Sequence, residues 1–203
     1  MALVLLLGYA LLPACATMDR DECLTVDWQT VGYEDGAAGR SGDRIAKHRK
    51  ACAKHGVTPD LQAYQSGRER GLREYCRPLT GYRLGERGGD NPGFCPADLA
   101  PAFDAAWRDG SELHHLRGLV NDAAGDVRSM QAELEDADDD IVAASALIID
   151  SNADKGTKAQ ALLDVKRLTE RKTVLKAQIR QRQDDRVHFQ RNLDEYLATA
   201  RSY

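Results

Sequence analysis

The sequence predicts an all-α protein in which a small, disulfide-stapled, Gly- and Tyr-rich helical head is followed by a long antiparallel coiled-coil hairpin. Three observations lead to this fold class. Apolar or small residues recur at alternating spacings of three and four through residues 111–203, four cysteines lie in residues 23–95, and glycines recur beside tyrosines in the same stretch. A 3,4 spacing is typical of helices that pair along a narrow apolar seam.

Composition agrees with an elongated helical protein. The chain has 203 residues, of which 42% are hydrophobic and 30% charged, but aromatic residues make up only 6%, which is thin for a large globular core. The formal net charge of -4 is small and mixed in sign. Charge alone therefore indicates neither nucleic acid nor an anionic membrane surface as a partner.

The N-terminal residues indicate export. Residues 2–12 form an apolar run that is too short to span a bilayer as a helix but is typical of a signal-peptide core. The sequence Leu12-Pro13-Ala14-Cys15 follows and resembles the lipobox of bacterial lipoproteins, in which the Cys becomes the lipid-bearing first residue after cleavage. We expect a lipoprotein signal peptide at 1–14, an acyl chain such as palmitate on Cys15 and a tether at 15–22.

The residue after Cys15 bears on the destination. By resemblance to enteric lipoproteins, Ala16 in place of Asp implies the outer membrane, with the protein facing the periplasm. No Lys or Arg precedes the apolar run, which departs from the usual signal-peptide pattern. Ordinary cleavage after Ala16 and an uncleaved anchor are the alternative interpretations.

Four cysteines remain once Cys15 is set aside: Cys23, Cys52, Cys76 and Cys95. An even number in an exported chain predicts two disulfides. The alternative is a metal site, because His48 and His55 flank Cys52. That site would lack a Cys-x-x-Cys pair and would need thiolates to survive in an oxidising compartment, so we expect no metal.

Helix geometry favours one of the three possible pairings. Predicted helices at 28–39 and 43–55, with a turn between them, return Cys52 to the side of Cys23. A third helix at 60–76 carries Cys76 about 20 Å from Cys52, whereas bridged Cα atoms lie within about 7 Å of each other. The Gly-rich loop expected at 80–94 can bring Cys95 back to Cys76. We predict the pairs Cys23 with Cys52 and Cys76 with Cys95.

Tyrosine and glycine recur together at Tyr33, Tyr64 and Tyr82, each followed by glycines three to seven residues later. Glycines three or four apart share one helix face, which another backbone or an aromatic ring can approach closely. Close packing is the simpler interpretation. The functional interpretation is a candidate interaction surface formed by Trp28, Tyr33, Asp35, Tyr64, Arg68 and Tyr82.

A family resemblance covers roughly residues 15–110. The motifs that carry it are Asp27-Trp28, Gly32, Asp35-Gly36, Gly39, Pro59-Asp60, Tyr64, Gly67-Arg68, Gly71-Leu72, Tyr75-Cys76, Gly81, Gly85, Gly88 and Cys95-Pro96. This pattern resembles the uncharacterised Gram-negative lipoproteins of domain-of-unknown-function family 2799. The resemblance implies an envelope lipoprotein with no known activity, and it does not extend to the hairpin.

The predicted hairpin occupies residues 111–203, after a Cys- and Gly-rich helical domain at 23–110. If the chain folds back between residues 154 and 155, Leu134 lies opposite Leu175, and the other apolar layers of the two arms also match. Lys172, Arg182 and Arg186 then fall on the seam opposite small or modest residues. We expect their long stems to lie along the seam and to carry the charges to water.

The charges of the two arms favour pairing within one chain. Residues 111–150 contain ten acidic residues against two basic ones, and residues 157–203 contain eleven basic residues against six acidic ones. Arms of opposite sign attract, whereas two copies of one arm would repel.

The sequence shows no recognised catalytic motif, neither a Gly-x-Ser-x-Gly elbow nor a His-Glu-x-x-His or phosphate-binding loop. We therefore expect a non-enzymatic, lipid-anchored envelope protein of structural or interaction type. It would have unknown envelope protein partners and no catalytic residue, cofactor, nucleic acid or evident small-molecule substrate. The alternative is an envelope enzyme or enzyme regulator acting on cell-wall material through the head.

In that alternative, Asp27, Asp35 and Arg68 are the best acid–base candidates, because burial within the Gly-rich motif could shift a pKa. A simpler role for Asp27 is to cap the helix that begins at Trp28. Asp60 is expected to cap the next helix in the same way.

Overall fold

A computed structural model describes residues 18–203. The described residues form helices joined by turns and contain no strand, which confirms the all-α class. The signal-peptide and lipidation predictions, including Cys15, lie outside them. The helices are α1 (Arg20–Thr25), α2 (Trp28–Ala37), α3 (Arg44–Ala53), α4 (Leu61–Tyr75), α5 (Pro78–Glu86), α6 (Ala100–Ile149) and α7 (Lys155–Thr199).

Side-chain caps fix where the helices begin. The Asp27 carboxylate accepts hydrogen bonds from the backbone N–H of Gln29 and Thr30, and Asp60 accepts one from Ala63, so both predicted caps are confirmed. Each carboxylate satisfies N–H groups that have no partner inside the helix. No helix within residues 18–203 is both long and apolar enough to cross a membrane.

The chain divides into two compact units. The first unit comprises the described residues up to Tyr82 together with Asp90–Trp107, and the second comprises Arg83–Gly89 and Arg108–Tyr203. The core of the first unit is a small cluster of buried side chains, which are Met18, Cys23, Trp28, Cys52 and Tyr64. Val31 and Ile45 pack against this cluster.

Both predicted disulfides are present in the first unit. Cys23 is bonded to Cys52 and Cys76 to Cys95, with Cα atoms 5.4 Å and 5.7 Å apart. The predicted pairing is therefore confirmed. Each bridge closes a loop of intermediate length and stabilises the fold by about 3 kcal/mol, mainly by restricting the unfolded chain.

The loop expected at 80–94 is only partly a loop, because α5 occupies its first part. Pro78 stands at the first position of α5, where its fixed φ suits a helix and its missing N–H costs nothing. Gly81 also has a packing role, since a Cβ atom there would lie 2.5 Å from the carbonyl oxygen of Phe103. The loop was predicted because glycines were taken as a source of flexibility, whereas Gly81 serves close packing.

Helices α2 and α4 touch backbone to backbone through their glycines. A Cβ atom on Gly32 would lie 2.9 Å from the Arg68 nitrogen and closer still to the Tyr64 carbonyl oxygen. In turn, a Cβ atom on Gly71 would lie 2.6 Å from the Ala37 nitrogen. No side chain fits into either gap, so the contact exists only because these positions are glycine.

The order of these contacts makes the two helices parallel. Gly32 meets α4 at Tyr64 and Arg68, and Gly36, one turn later in α2, meets it at Arg68 and Leu72. The small-xxx-small spacing of glycines is the pattern that allows two helices to approach this closely. The spacing of the glycines in the sequence indicated such a face. In the structure, the backbone of the neighbouring helix lies against it.

In the second unit, α6 and α7 are joined by residues 150–154. Residues later in α7 contact residues earlier in α6. Salt bridges join Arg171 to Glu133 at 2.6 Å and Arg182 to Asp126 at 3.0 Å, and Lys172 pairs with Asp138. Further along, the Tyr196 hydroxyl donates to the carbonyl oxygen of Asp109, at 2.6 Å.

Two details of these helices add to the prediction. Lys172 and Arg182, whose charges were expected to reach water, each also pair with a half-exposed acidic residue of α6. The acidic side chains of that arm are close enough to compete with water for the cations. Helix α6 also begins at Ala100, before the predicted start of the arm at 111.

Substituting a glycine of the α2–α4 contact tests this packing. The Gly67→Ala variant places a Cβ atom 3.0 Å from the Tyr33 nitrogen and closer to the Gln29 backbone, so the helices must separate. We expect the free energy of unfolding to fall by about 3 kcal/mol. Denaturant titration followed by circular dichroism measures it.

Gly118→Ala is the matched control, because a Cβ atom at Gly118, also inside a helix, meets nothing within 4 Å. This change should stabilise the chain by about 1 kcal/mol through helix propensity alone. Equal effects of the two substitutions would show that the glycine contact does not hold α2 against α4.

Candidate functional site

Three helices of the first unit bring Asp35, His48 and Tyr64 together. Asp35 lies on α2 immediately before Gly36, His48 lies on α3 and Tyr64 on α4. One carboxylate oxygen of Asp35, Oδ2, accepts a hydrogen bond from the Tyr64 hydroxyl at 2.8 Å and lies 2.8 Å from His48 Nε2. All three residues are buried, with 9%, 5% and 1% of their surfaces exposed. This cluster is the candidate functional site.

The cluster supports a buried carboxylate. Burial of Tyr64, followed by its hydrogen bond to Asp35 and the charge of Asp35, raises the pKa of the Tyr64 phenol well above its usual range. The phenol therefore keeps its proton and donates a hydrogen bond to the carboxylate. The Arg44 guanidinium is also near, with Nε 3.9 Å from Asp35 Oδ1. A buried charge is tolerated when it is hydrogen-bonded and has an opposite charge nearby.

These contacts also set the tautomer of His48. Because Asp35 Oδ2 accepts hydrogen bonds, the nitrogen that faces it, Nε2, must carry a hydrogen. In a neutral imidazole the other nitrogen, Nδ1, is then a hydrogen-bond acceptor. Within the described chain, His48 Nδ1 is buried and has no partner. A buried polar atom of this kind is uncommon in folded proteins, and active or binding sites are one place where it occurs.

A cleft of about 430 Å³ lies beside this cluster, and Asp35 and His48 form part of its wall. Apolar side chains of Met18, Val26 and Val31 form another part. The remaining wall is polar and includes Glu22, Thr25, Thr30 and Glu34. The cleft therefore combines an apolar wall, an acidic rim and one histidine.

The structure separates the residues of the predicted interaction surface. Trp28 and Tyr64 are core residues, and Asp35 is buried in the wall of the cleft. Tyr33 is 40% exposed and Tyr82 is half-buried. Of the four aromatic residues in this set, Trp28 and Tyr64 therefore belong to the core, and Tyr33 is exposed.

Arg68 is also held in place. Its guanidinium donates to the Arg40 carbonyl oxygen at 3.0 Å and lies over the ring of Phe94, 5.2 Å from the centroid. Asp27 remains exposed as the cap of α2. Hydrogen bonds, first from the Thr30 hydroxyl and then from the Gln29 backbone, hold the pKa of its carboxyl below the usual range.

Sequence reasoning considered His48 only as a neighbour of Cys52 in a metal site. Cys52 is bonded to Cys23 and therefore offers no thiolate. The contact between His48 and Asp35 depends on how α3 packs against α2, which the sequence pattern does not encode. A signal was nevertheless present, because His48 lies four residues before the disulfide cysteine of the same helix and so shares its inward face.

Comparison with known proteins gives a family match for part of the chain. Residues 27–112 match the family model described as "Protein of unknown function (DUF2799)", which confirms the resemblance found in the sequence. The matched segment includes Asp35, His48 and Tyr64. Cys23 and most of α6 and α7 lie outside it. No curated protein and no solved structure matches the chain at a significant level.

The hydrogen bond from Tyr64 to Asp35 makes a testable contribution to stability. In Tyr64→Phe the buried carboxylate loses a donor, so we expect the free energy of unfolding at neutral pH to fall by about 1 to 3 kcal/mol. Tyr33→Phe, which alters an exposed hydroxyl, is the matched control. Urea titrations of the parent protein, Tyr64→Phe and Tyr33→Phe measure the difference in the free energy of unfolding.

The same hydrogen bond predicts a dependence on alkaline pH. Because the pKa of Tyr64 is higher in the folded than in the unfolded state, its contribution is fully present below about pH 10 and is lost as pH rises toward the folded pKa. The midpoint of urea unfolding should therefore fall more steeply above pH 10 in the parent protein than in Tyr64→Phe. Identical slopes would contradict the buried phenol–carboxylate pair.

Proposed function

We propose that this is a lipid-anchored cell-envelope protein of structural or protein-interaction type. The observation that carries the proposal is the cysteine usage. Four of the five cysteines are bonded in pairs, and the fifth, Cys15, stands at the end of the lipobox-like motif. Stable disulfides are typical of compartments outside the cytoplasm, and an acylated Cys15 would hold such a chain at the outer membrane, facing the periplasm.

We further propose that α6 and α7 form an antiparallel coiled-coil hairpin. In its support, the buried hydrophobic residues of the two helices within the second unit follow the alternating spacing of three and four from which the hairpin was predicted. They are Leu113, Leu116, Ala123, Ala137 and Ala144 in α6 and Ala161, Leu168, Leu175, Ile179 and Leu193 in α7. Salt bridges flank this seam and add specificity of register more than stability.

An interaction role for the hairpin is supported by the exposed apolar side chains near the turn. Val142 and Ile149 in α6 and Leu162 and Leu163 in α7 are all more than half exposed. Grouped exposed apolar side chains are a feature of surfaces that bind other proteins. We propose an envelope protein as the partner and no role for nucleic acid.

A second candidate function is that of an envelope enzyme or enzyme regulator acting on cell-wall material. One observation favours it, which is the buried Asp35–His48 pair in the wall of the cleft. A carboxylate that orients a histidine through one ring nitrogen leaves the other free to accept a proton or bind a ligand. Loss of function in His48→Gln with intact folding favours this candidate, whereas dependence on the hairpin surface favours the first.

Lipid anchoring is tested by Cys15→Ser. We expect this variant to lose labelling by an alkyne fatty-acid probe and to move from the membrane to the soluble fraction, because one thioether-linked lipid group supplies the attachment. Thr17 lies just beyond the lipobox-like motif, so Thr17→Ala serves as the neighbouring control and should retain both properties. Membrane retention without a lipid label in the parent protein would instead support the uncleaved anchor.

The hairpin register is tested by paired cysteines at Leu134 and Leu175 in the Cys15→Ser background. We expect a short thiol crosslinker to join them within one chain, since the predicted register places the two positions opposite each other. The pair Leu134 and Lys172 is displaced along the seam and should react less. Gel electrophoresis separates the products, and mainly dimer-sized products would exclude the intramolecular hairpin.

A further inference from the structure

One side of α6 and α7 carries features that the pairing of these two helices leaves uncovered. A groove of about 570 Å³ opens on this side, and its walls include Val120 and Ala124 of α6 and Val187 and Gln190 of α7. The buried residues of both helices keep the alternating spacing of three and four, so residues seven apart stay on one side. The side marked by Ala124 and Gln190 is called the groove face below.

Near the turn, the groove face carries an exposed apolar patch. Leu162 lies four heptads before Gln190 and is therefore on this face. Val142 and Ile149 flank the third heptad step after Ala124, three residues before it and four after it, so they share the same side of α6. Val142, Ile149 and Leu162 are 69%, 83% and 56% exposed. Covering this patch with another surface would bury apolar area and stabilise the contact.

Between the groove and the apolar patch, the face carries charges of opposite sign on its two helices. Glu135 on α6 and Lys176 and Arg180 on α7 are exposed, and none of the three forms a salt bridge among the described residues. Arg128 is a basic exception on α6, and the predicted register sets it within one turn of the level of Asp184. The middle of the groove face is thus acidic on one helix and basic on the other.

These charges decide how a second copy of the chain fits against the groove face. Two copies related by a two-fold axis can face each other antiparallel, with α6 on α6, or parallel, with α6 on α7. The antiparallel arrangement sets one acidic helix against another and is unfavourable. In the parallel arrangement, the predicted register brings Glu135 within two residues, about 3 Å along the axis, of the level of Lys176 of the second copy. It also brings Ile149 equally close to the level of Leu162 of the second copy.

We propose that the groove face binds a second copy of this chain in a parallel two-fold dimer. The apolar patches of the two copies cover each other, Glu135 pairs with Lys176 and Arg180 across the interface, and Val187 of the second copy enters the groove. A second copy fits better than an unrelated protein because the face itself supplies both halves of the charge match. The inference rests on the proposed hairpin and names the envelope protein that its exposed apolar side chains contact.

The mass in solution tests the dimer, measured by light scattering on the full-length chain carrying Cys15→Ser. We expect twice the chain mass of 22.4 kDa, and Ile149→Gln should raise the dissociation constant about tenfold because an apolar contact is lost at both symmetric positions. Val174→Gln is the matched control, since Val174 is 48% exposed and lies on another side of α7. A monomer at every concentration, or equal effects of the two substitutions, would overturn the proposal.

A charge exchange between two differently tagged copies tests the contacts across the interface. One copy carries Glu135→Lys, and the other carries Lys176→Glu and Arg180→Glu. Each copy should pair with itself about tenfold more weakly than the parent, because like charges meet at both symmetric positions, whereas the mixture should form heterodimers. Contacts within one chain cannot produce this difference. Equal recovery of homodimers and heterodimers through one tag would contradict the proposed interface.

Crosslinking between copies separates the parallel from the antiparallel dimer. In the Cys15→Ser background, one copy carries Ile149→Cys and the other Leu162→Cys, and we expect a short thiol crosslinker to join them. Ile149→Cys with Val187→Cys is the control pair, because the parallel arrangement sets these positions about 40 Å apart along the axis. Preferential reaction of the control pair would show that the copies lie antiparallel and would overturn the proposal.

Failure of the dimer and failure of the hairpin give different results. If the hairpin forms but the dimer does not, cysteines at Leu134 and Leu175 still crosslink within one chain and the mass is that of a monomer, which overturns the dimer alone. If the hairpin does not form, that crosslink within one chain is lost, and the dimer proposed from it falls as well.

Discussion

Two helices can bring their backbones together only where side chains are absent, and α2 and α4 meet at four glycines. Gly32 and Gly36 of α2 lie against backbone atoms of α4, and Gly67 and Gly71 of α4 lie against backbone atoms of α2. This mutual contact fixes both the separation and the relative rotation of the helices. Any larger residue at one of these positions would push the pair apart and move every side chain that the two helices carry.

The buried cluster depends on that contact. Asp35 precedes Gly36 on α2 and receives the hydroxyl of Tyr64 from α4, so a hydrogen bond of 2.8 Å requires the two helices to stay close. The Cys23–Cys52 disulfide ties the end of α3 to α1 and helps to keep His48 within reach of the same carboxylate. A buried charge that loses these partners is costly, which links the glycine packing to the electrostatics of the cleft.

The sequence predicted the parts of this structure that follow from local chemistry and chain geometry. Helix caps at Asp27 and Asp60 and the pairing of four cysteines are of this kind, because they depend on short spacings and on the rise of a helix. The buried Asp35–His48 contact was missed because it depends on tertiary packing between α2 and α3. Helix α5 was missed for another reason, since the glycines near Pro78 that suggested flexibility include one that serves close packing.

The glycine contact between α2 and α4 positions the cluster, and we expect it to be the most stable part of the first unit. Native-state hydrogen exchange of the full-length chain tests it directly, because amides exchange slowly where opening requires the core to unfold. We expect that, within this unit, the slowest amides lie at Gly32 to Gly36 in α2 and at Arg68 to Leu72 in α4. Slower exchange in α3, or fast exchange throughout α2, would contradict it.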